Sequence, residues 1–498
     1  MNTNKSISAK VKEVGSHGMV YGLGTALESL LQILLIPLFL NEFSSVEYGT
    51  FALIQTTASM AAAFFYFGGS TALNRFYFDA DTKKEQKIWF SNILFLTLFG
   101  STLMILLVYI FGEFIVNQLF EELTFINTFY FLFWSFSISI INTIFYILIR
   151  LLKKSAWFVA LKLISLISSI SAIFIFINTM NNIVDATALG FLVGQVIVLL
   201  IMLIKYKSSV IFIFDTNLII KYLKFGIPMA LSGLSFIAID WVIRFFVNKD
   251  MGPENLGIYS MGLKLGSLIQ AGFIMPFALI WSTVRMEYRK DKNTLEFFNK
   301  VTTYYLLIGF FIILIVSINI NEIISFISKE NIYEGSLIII PVILFSQLIF
   351  GTVNILDYGL YINNKTIYYA LYHFVTLLIV SIISFFLFNY IGILGVAIVH
   401  LISNIIIALL IYLKSNKYFK ISINYQTLLP SFLICLILFF FSKYFSHLLN
   451  EYGMWQIFLK NCFIIISFFI FIYMFLPVLE RIKINMIISE KIKKLIKK

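Results

Sequence analysis

Five ionisable side chains stand inside, or at the edge of, long apolar runs: Glu28, Arg75, Asp240, Arg244 and Lys264. Asp240 and Arg244 lie in the stretch Ala-Ile-Asp-Trp-Val-Ile-Arg-Phe-Phe (238–246). Four residues apart, they share one face of a helix. The chemistry open to such groups is binding and charge transfer, not bond-making. A buried carboxylate takes up a proton or a small cation. A guanidinium grips carboxylate or phosphate oxygens two at a time, and an ammonium acts as a point charge. No nucleophile–base pair, phosphate loop or zinc spacing accompanies them. Cys435 and Cys462 have no metal or redox spacing, and four scattered histidines form no cluster. No enzyme and no cofactor is expected, apart from coupling to Na⁺ or H⁺ at Glu28 or Asp240.

The elements that carry these residues must be membrane helices. Of 498 residues, 60% are hydrophobic and 12% charged, with 55 Phe and only seven Pro, whereas a soluble domain carries about a quarter charged residues. A span needs roughly 20 apolar residues. Fourteen candidates follow, at 18–40, 47–73, 88–112, 124–149, 157–177, 183–204, 225–247, 255–281, 301–320, 336–361, 367–388, 392–413, 427–447 and 455–477. The first is too long for a signal-peptide core and is expected to be retained. No connection between spans is long enough for a soluble domain.

Charge sets the orientation. With the N-terminus inside, the inner segments hold Lys5, Lys10 and Lys12, then Arg75, Lys83, Lys84 and Lys87, then Arg150, Lys153 and Lys154, and so on to the basic tail. The outer loops hold only Lys249, Lys329 and Lys443, together with Glu42, Glu47, Glu121, Glu122, Glu254 and Glu334. This is the positive-inside pattern, with both termini cytoplasmic. The net charge of +12 is therefore no sign of nucleic acid. Its largest block, residues 481–498, either lies on the anionic inner leaflet as an amphipathic helix or is solvated.

The chain also repeats itself. "FLNEFSSVEYGTFAL" from Phe39 is echoed by "FVNKDMGPENLGIYSMG" from Phe246, pairing Gly49 with Gly257. "LLKKSAWFVAL" from Leu151 is echoed by "YINNKTIYYAL" from Tyr361 at nearly the same offset. The fold class is thus an all-α polytopic membrane protein of about 14 transmembrane helices. Residues 1–207 form an N-lobe of spans 1–6, and 208–420 a C-lobe of spans 7–12 in parallel repeat. Residues 421–480 add spans 13 and 14, before the tail at 481–498. Two like bundles suit a transporter with its site between the halves, rocking to give alternating access.

The segments "GLGTALESLLQILLIPLFLNEFSSVEYGTFAL", "GGSTALNRFYFD", "LGIYSMGLKLGSLIQAGFIMPFALIWS" and "NYIGILGVAIVHLISNIIIALLIYLKSNKYFKI" resemble the polysaccharide-transport branch of the multidrug/oligosaccharidyl-lipid/polysaccharide exporter superfamily. The resemblance covers essentially the whole chain and is nearest to the Wzx-like oligosaccharide flippases. It implies a multi-pass protein of the cell inner (cytoplasmic) membrane. Such a protein moves an undecaprenyl-pyrophosphate-linked oligosaccharide to the outer leaflet for O-antigen, capsule or exopolysaccharide synthesis. Polyprenyl-pyrophosphate-linked oligosaccharide and membrane lipids are then the partners, with a polysaccharide polymerase and chain-length proteins as further ones.

On that reading Arg244, Lys264 and Arg75 neutralise the diphosphate, and Asp240 pairs with Arg244 when the site is empty. Glu28 lines the cavity or couples an ion. Gln32, Gln55 and Tyr259 are examples of side chains suited to sugar hydroxyls. Each has a plainer alternative. Arg244 can snorkel to outer headgroups, Asp240–Arg244 can be a structural pair, and Arg75 can be an inner-face anchor. Lys264 is too deep to snorkel easily. Lys162 and His373 read as interface residues, Asp357 is open, and His400 reads as a packed histidine with a backbone partner. Pro37 and Pro276 should bend spans 1 and 8. Two rival functions remain: a Na⁺- or H⁺-coupled multidrug antiporter of the same superfamily, and a membrane-embedded polysaccharide polymerase. The excess of basic groups favours an anionic cargo, and the short outer loops disfavour an enzyme.

Overall fold

A computed structural model describes residues 35–77, 80–120, 123–288, 293–327, 333, 335–363, 365, 367–448 and 454–475. Glu28, Gln32, most of span 1 and the basic tail lie outside the described residues. The helices are α1 Ile36–Glu42, α2 Ser45–Phe65, α3 Gly69–Phe76, α4 Lys83–Phe120, α5 Ile126–Leu151, α6 Ser155–Ile177, α7 Ile183–Tyr206 and α8 Thr216–Gly266. They continue as α9 Met275–Glu287, α10 Thr294–Ile318, α11 Ile320–Ile327, α12 Ser336–Leu356, α13 Tyr358–Ile362, α14 Ile367–Ser415, α15 Tyr425–Leu448 and α16 Met454–Phe475. Ten helices among the described residues are long and apolar enough to cross a bilayer. Their outward faces carry large apolar side chains, Phe99, Phe174, Ile204, Phe386 and Phe440 among them, each more than half exposed. In water such a belt would aggregate; against lipid it is the favourable surface.

Local sequence explains where the helices start and break. Ser44 and Glu47 form a capping box before α2: the Glu47 amide donates to Ser44 Oγ at 3.2 Å, and the Ser44 amide to Glu47 Oε2 at 2.9 Å. Ser44→Ala should lower stability by about 1 kcal/mol, read as a lower unfolding midpoint of the purified protein. Asn182 caps α7 and Asp215 caps α8, each side chain accepting from two backbone amides of the first turn without a reciprocal bond. Span 2 was expected as one helix over 47–73. It is instead broken after Phe65, where Phe67 (φ 50°) and Gly68 (φ 72°) turn left-handed before α3 restarts.

Two helices are hairpins in disguise. Within α8, Gly252 has φ 85° and ψ 166°, and within α14, Gly392 has φ 60° and ψ −179°. Arg244 and Ser260 would be about 24 Å apart along a straight helix, yet their side chains touch at 2.5 Å. The chain therefore reverses at Gly252, which separates spans 7 and 8. Such a positive φ is natural for glycine and strained for other residues. The Lys414 ammonium over the Tyr368 ring, at 4.2 Å, shows the same reversal of α14 into spans 11 and 12. Ahead of Pro276, the residue that lacks an N–H, the helix widens into a π turn over Gln270–Ile274.

Between the lobes the chain runs extended along α4 and is fastened there. Ser91 Oγ accepts from the Ile211 amide at 2.8 Å, Asn92 Nδ2 donates to the Ile213 carbonyl at 2.9 Å, and Asn92 Oδ1 accepts from the Asp215 amide at 3.0 Å. The Phe212 and Phe214 rings stack on Phe95. The lobes themselves meet where α2 packs along α8. Leu53 of α2 is buried in the C-lobe core with Ile239, Ile243 and Leu263.

Candidate functional site

A cavity of about 500 Å³ lies between the lobes, and the helices around it each contribute residues at three- and four-residue spacing. From α2 come Ala52, Gln55, Thr56 and Ser59, joined by Phe39, Tyr48, Phe51, Phe136 and Phe191. The opposite wall takes Asp240 and Arg244 from the first arm of α8, and Ser260, Lys264 and Ser267 from the second. Gln270 of the π turn, Gln347 of α12, and His400, Ser403 and Asn404 of α14 complete it. Among the described lining residues every charge is on the C-lobe, while the N-lobe offers aromatic rings, hydroxyls and one amide.

Arg244 and Asp240 are paired as expected, Nε to Oδ2 at 3.0 Å. A further guanidinium N–H donates to Ser260 Oγ at 2.5 Å. Arg244 is therefore held across the hairpin and does not extend toward headgroups. Its side chain is 11% exposed, against 37% for Asp240, so the carboxylate is the more open partner. Two of the five guanidinium donors are thus committed to Asp240 and Ser260. Lys264 lines the same wall, one turn beyond Ser260 on the same face. Gln270 Nε2 donates to Gln347 Oε1 at 2.5 Å, presenting a linked amide pair. The structure thus brings together three of the five candidate residues. Arg75 has its backbone in α3, and its side chain lies outside what is described; Glu28 lies outside the described residues altogether.

The lobes touch at both ends of this cavity. At the end expected to be external, Gly49 faces Gly257: a Cβ on Gly49 would stand 2.5 Å from the Pro253 carbonyl oxygen, and one on Gly257 1.8 Å from that of Ser45. These are the two glycines the internal repeat pairs, and equivalent residues meet where the axis relating two halves passes. Nearby, the Tyr333 hydroxyl faces the carbonyls of Phe43 at 2.9 Å and Ser44 at 3.1 Å, and Asn248 Nδ2 donates to the Leu119 carbonyl at 2.7 Å. At the other end a Cβ on Gly68 would stand 2.2 Å from the Gly226 carbonyl oxygen. The Tyr222 hydroxyl there donates to the Tyr66 carbonyl at 3.2 Å. Midway, Trp241 Nε1 donates to Thr57 Oγ1 at 2.9 Å.

Other polar groups also find their places. His400 is buried, but its ring partner is a side chain and not the backbone: Nδ1 lies 3.0 Å from Ser346 Oγ, which also accepts from Asn404 Nδ2 at 2.8 Å. Asp357, open from sequence, pairs with Arg285 at 3.0 Å and accepts from the Tyr369 hydroxyl at 2.8 Å. Arg285 also stacks over Tyr361 at 4.1 Å. Arg285 and Asp357 are 72 residues apart, so no spacing in the sequence points to this pair. Lys162 lies over the Tyr146 ring at 4.6 Å, and His373 Nδ1 contacts the Tyr369 carbonyl at 2.7 Å.

The whole fold is a known one. The chain is similar to lipid II flippase MurJ in an inward closed conformation, with a TM-score of 0.73 at 16% identity over 90% of this chain and 98% of that one. It is similar to an outward-facing multidrug resistance MATE family transporter of the MOP superfamily, with a TM-score of 0.56 at 15% identity over 83% of this chain and 96% of that one. A MOP superfamily transporter from Pyrococcus furiosus, described as having a binding pocket of reverse polarity, gives 0.57 at 14% identity over 82% and 94%. At such identities the likeness is one of fold. No curated protein sequence matches the chain. A family model described as "Polysaccharide biosynthesis protein" matches residues 14–281, more than half of the length. The chain belongs to the polysaccharide biosynthesis protein family.

Proposed function

We propose that the chain is a flippase for a polyprenyl-pyrophosphate-linked oligosaccharide, moving the sugar–diphosphate head from the inner to the outer leaflet through the cavity between its lobes. One observation carries the reading: a cavity wall bearing Arg244, Lys264 and a linked Gln270–Gln347 pair faces a wall of aromatic rings and hydroxyls. A diphosphate needs cations in a site shielded from hydrocarbon. Sugars need hydroxyl and amide partners and flat faces to stack on. The family membership and the MurJ-like fold support the same class of cargo. Asp240, the more open member of its pair, is the carboxylate suited to couple Na⁺ or H⁺, and it also shields Arg244 while no anion is bound.

The test is transport in proteoliposomes that contain a prenyl-pyrophosphate-linked oligosaccharide. The wild type should expose the sugar on the far leaflet, and Lys264→Ala should slow this about tenfold, the effect of losing ~1.4 kcal/mol of binding. If the wild type moves no such lipid but expels a cationic dye under a Na⁺ or H⁺ gradient, the antiporter reading holds and the flippase reading fails.

A further inference from the structure

A second cavity, of about 750 Å³, lies between α10, α12, α14 and α15. It uses other faces of two helices that also wall the central site. On α12 its residues are Ile338, Pro341, Val342 and Phe345, whereas Gln347 and Phe350 face the centre. Between the two cavities Ser346 stitches α12 to α14 through His400 and Asn404. The second cavity is therefore a separate groove and not a branch of the first. It opens sideways onto the lipid-facing surface, where Ile338 is 61% and Phe440 64% exposed.

Apolar along most of its length, the groove is polar at the end expected to be external, where Ser317, Asn321 and Lys443 form the rim. Ser317 is 2% exposed, and its hydroxyl has no hydrogen-bond partner among the described residues. A buried hydroxyl in this state costs free energy until something accepts from it. Behind the rim, buried Lys460 stands 3.9 Å from Glu322, so among the described residues the local balance with Lys443 is one positive charge.

We propose that this groove is a binding site for an anionic phospholipid of the bilayer, with one acyl chain between α12 and α15 and the phosphate against Lys443. The Ser317 hydroxyl donates to a headgroup or ester oxygen. An apolar slot open to the bilayer, with a cation and an unused donor at the depth of the headgroups, matches the shape and charge of that molecule. The stitched wall separates this site from whatever occupies the centre, so the proposal does not depend on the cargo. It also gives the lipid a structural effect, completing the contact between α15 and the C-lobe.

The experiment reconstitutes the full chain into bilayers of equal phosphatidylethanolamine and phosphatidylglycerol, extracts it gently into detergent, and weighs the retained lipid by native mass spectrometry. The wild type should keep phosphatidylglycerol in preference. Lys443→Gln should reduce that preference about fivefold, the equivalent of ~1 kcal/mol for one lysine at a headgroup. Ile338→Trp, which fills the mouth, should abolish retention of either lipid. Ser317→Ala removes only a hydroxyl and should weaken retention even if the lysine variant folds poorly. Equal retention of both lipids by the wild type, or a preference unchanged in Lys443→Gln and Ser317→Ala, overturns the proposal.

Discussion

Arg244→Gln is expected to stop transport and to destabilise the protein, whereas Asp240→Asn combined with Arg244→Gln should recover the stability but not the transport. The single variant leaves a carboxylate facing a low-dielectric wall without its cation. Losing one member of a buried pair costs about 3–5 kcal/mol. Asp240 is 37% exposed, so the penalty here should be smaller, on the order of 1–2 kcal/mol. Neutralising both members removes that penalty, because two neutral polar groups can hydrogen-bond to each other. What the double variant cannot restore is a cation for an anionic cargo. Thermal unfolding of the purified protein and sugar exposure in proteoliposomes read the two effects separately. Recovery of transport along with stability would make the pair structural only.

Gly257→Leu should lock the lobes apart at the outer end. A Cβ there already falls 1.8 Å from the Ser45 carbonyl oxygen, and the leucine branch needs more room still. The contact is backbone on backbone, so no side chain can rotate away to relieve it. A cycle that must close this end should then stall, with transport falling by about tenfold or more if the clash costs over ~1.4 kcal/mol. Access to the cavity reports the state directly. With Cys435 and Cys462 replaced by Ser, Gln55→Cys should react with an impermeant maleimide from outside faster in the Gly257→Leu background than without it. Unchanged labelling and unchanged transport would mean that the glycine pair does not gate the cavity.

Much of this was legible in the sequence because membrane helices obey few rules. Apolar length marked the spans, and spans 2–14 each coincide with described helix, although span 2 is broken after Phe65 and the helix of span 3 runs from Lys83 to Phe120. The Asp240–Arg244 pair followed from four-residue spacing, and the repeat singled out Gly49 and Gly257 before their contact was visible. What escaped was set by tertiary neighbours. The break at Phe67–Gly68 depends on the close approach of Gly226, far along the chain. Arg285 meets Asp357 because α9 lies against the end of α12, where Trp281 also donates to the Asn354 carbonyl. His400 takes Ser346 as its ring partner because α12 and α14 cross at that height. Ser44-x-x-Glu47 was readable as a capping box but is short enough to be overlooked among apolar residues.

The fastening of residues 211–215 along α4 has a mechanical consequence. Three hydrogen bonds make the connecting strap part of the N-lobe frame, so it cannot stretch or slacken when the halves turn. The start of α8 follows the strap onto the N-lobe, with Tyr222 buried in that lobe's core, so any turning of the halves must be taken up further along α8 than the Asp215 cap.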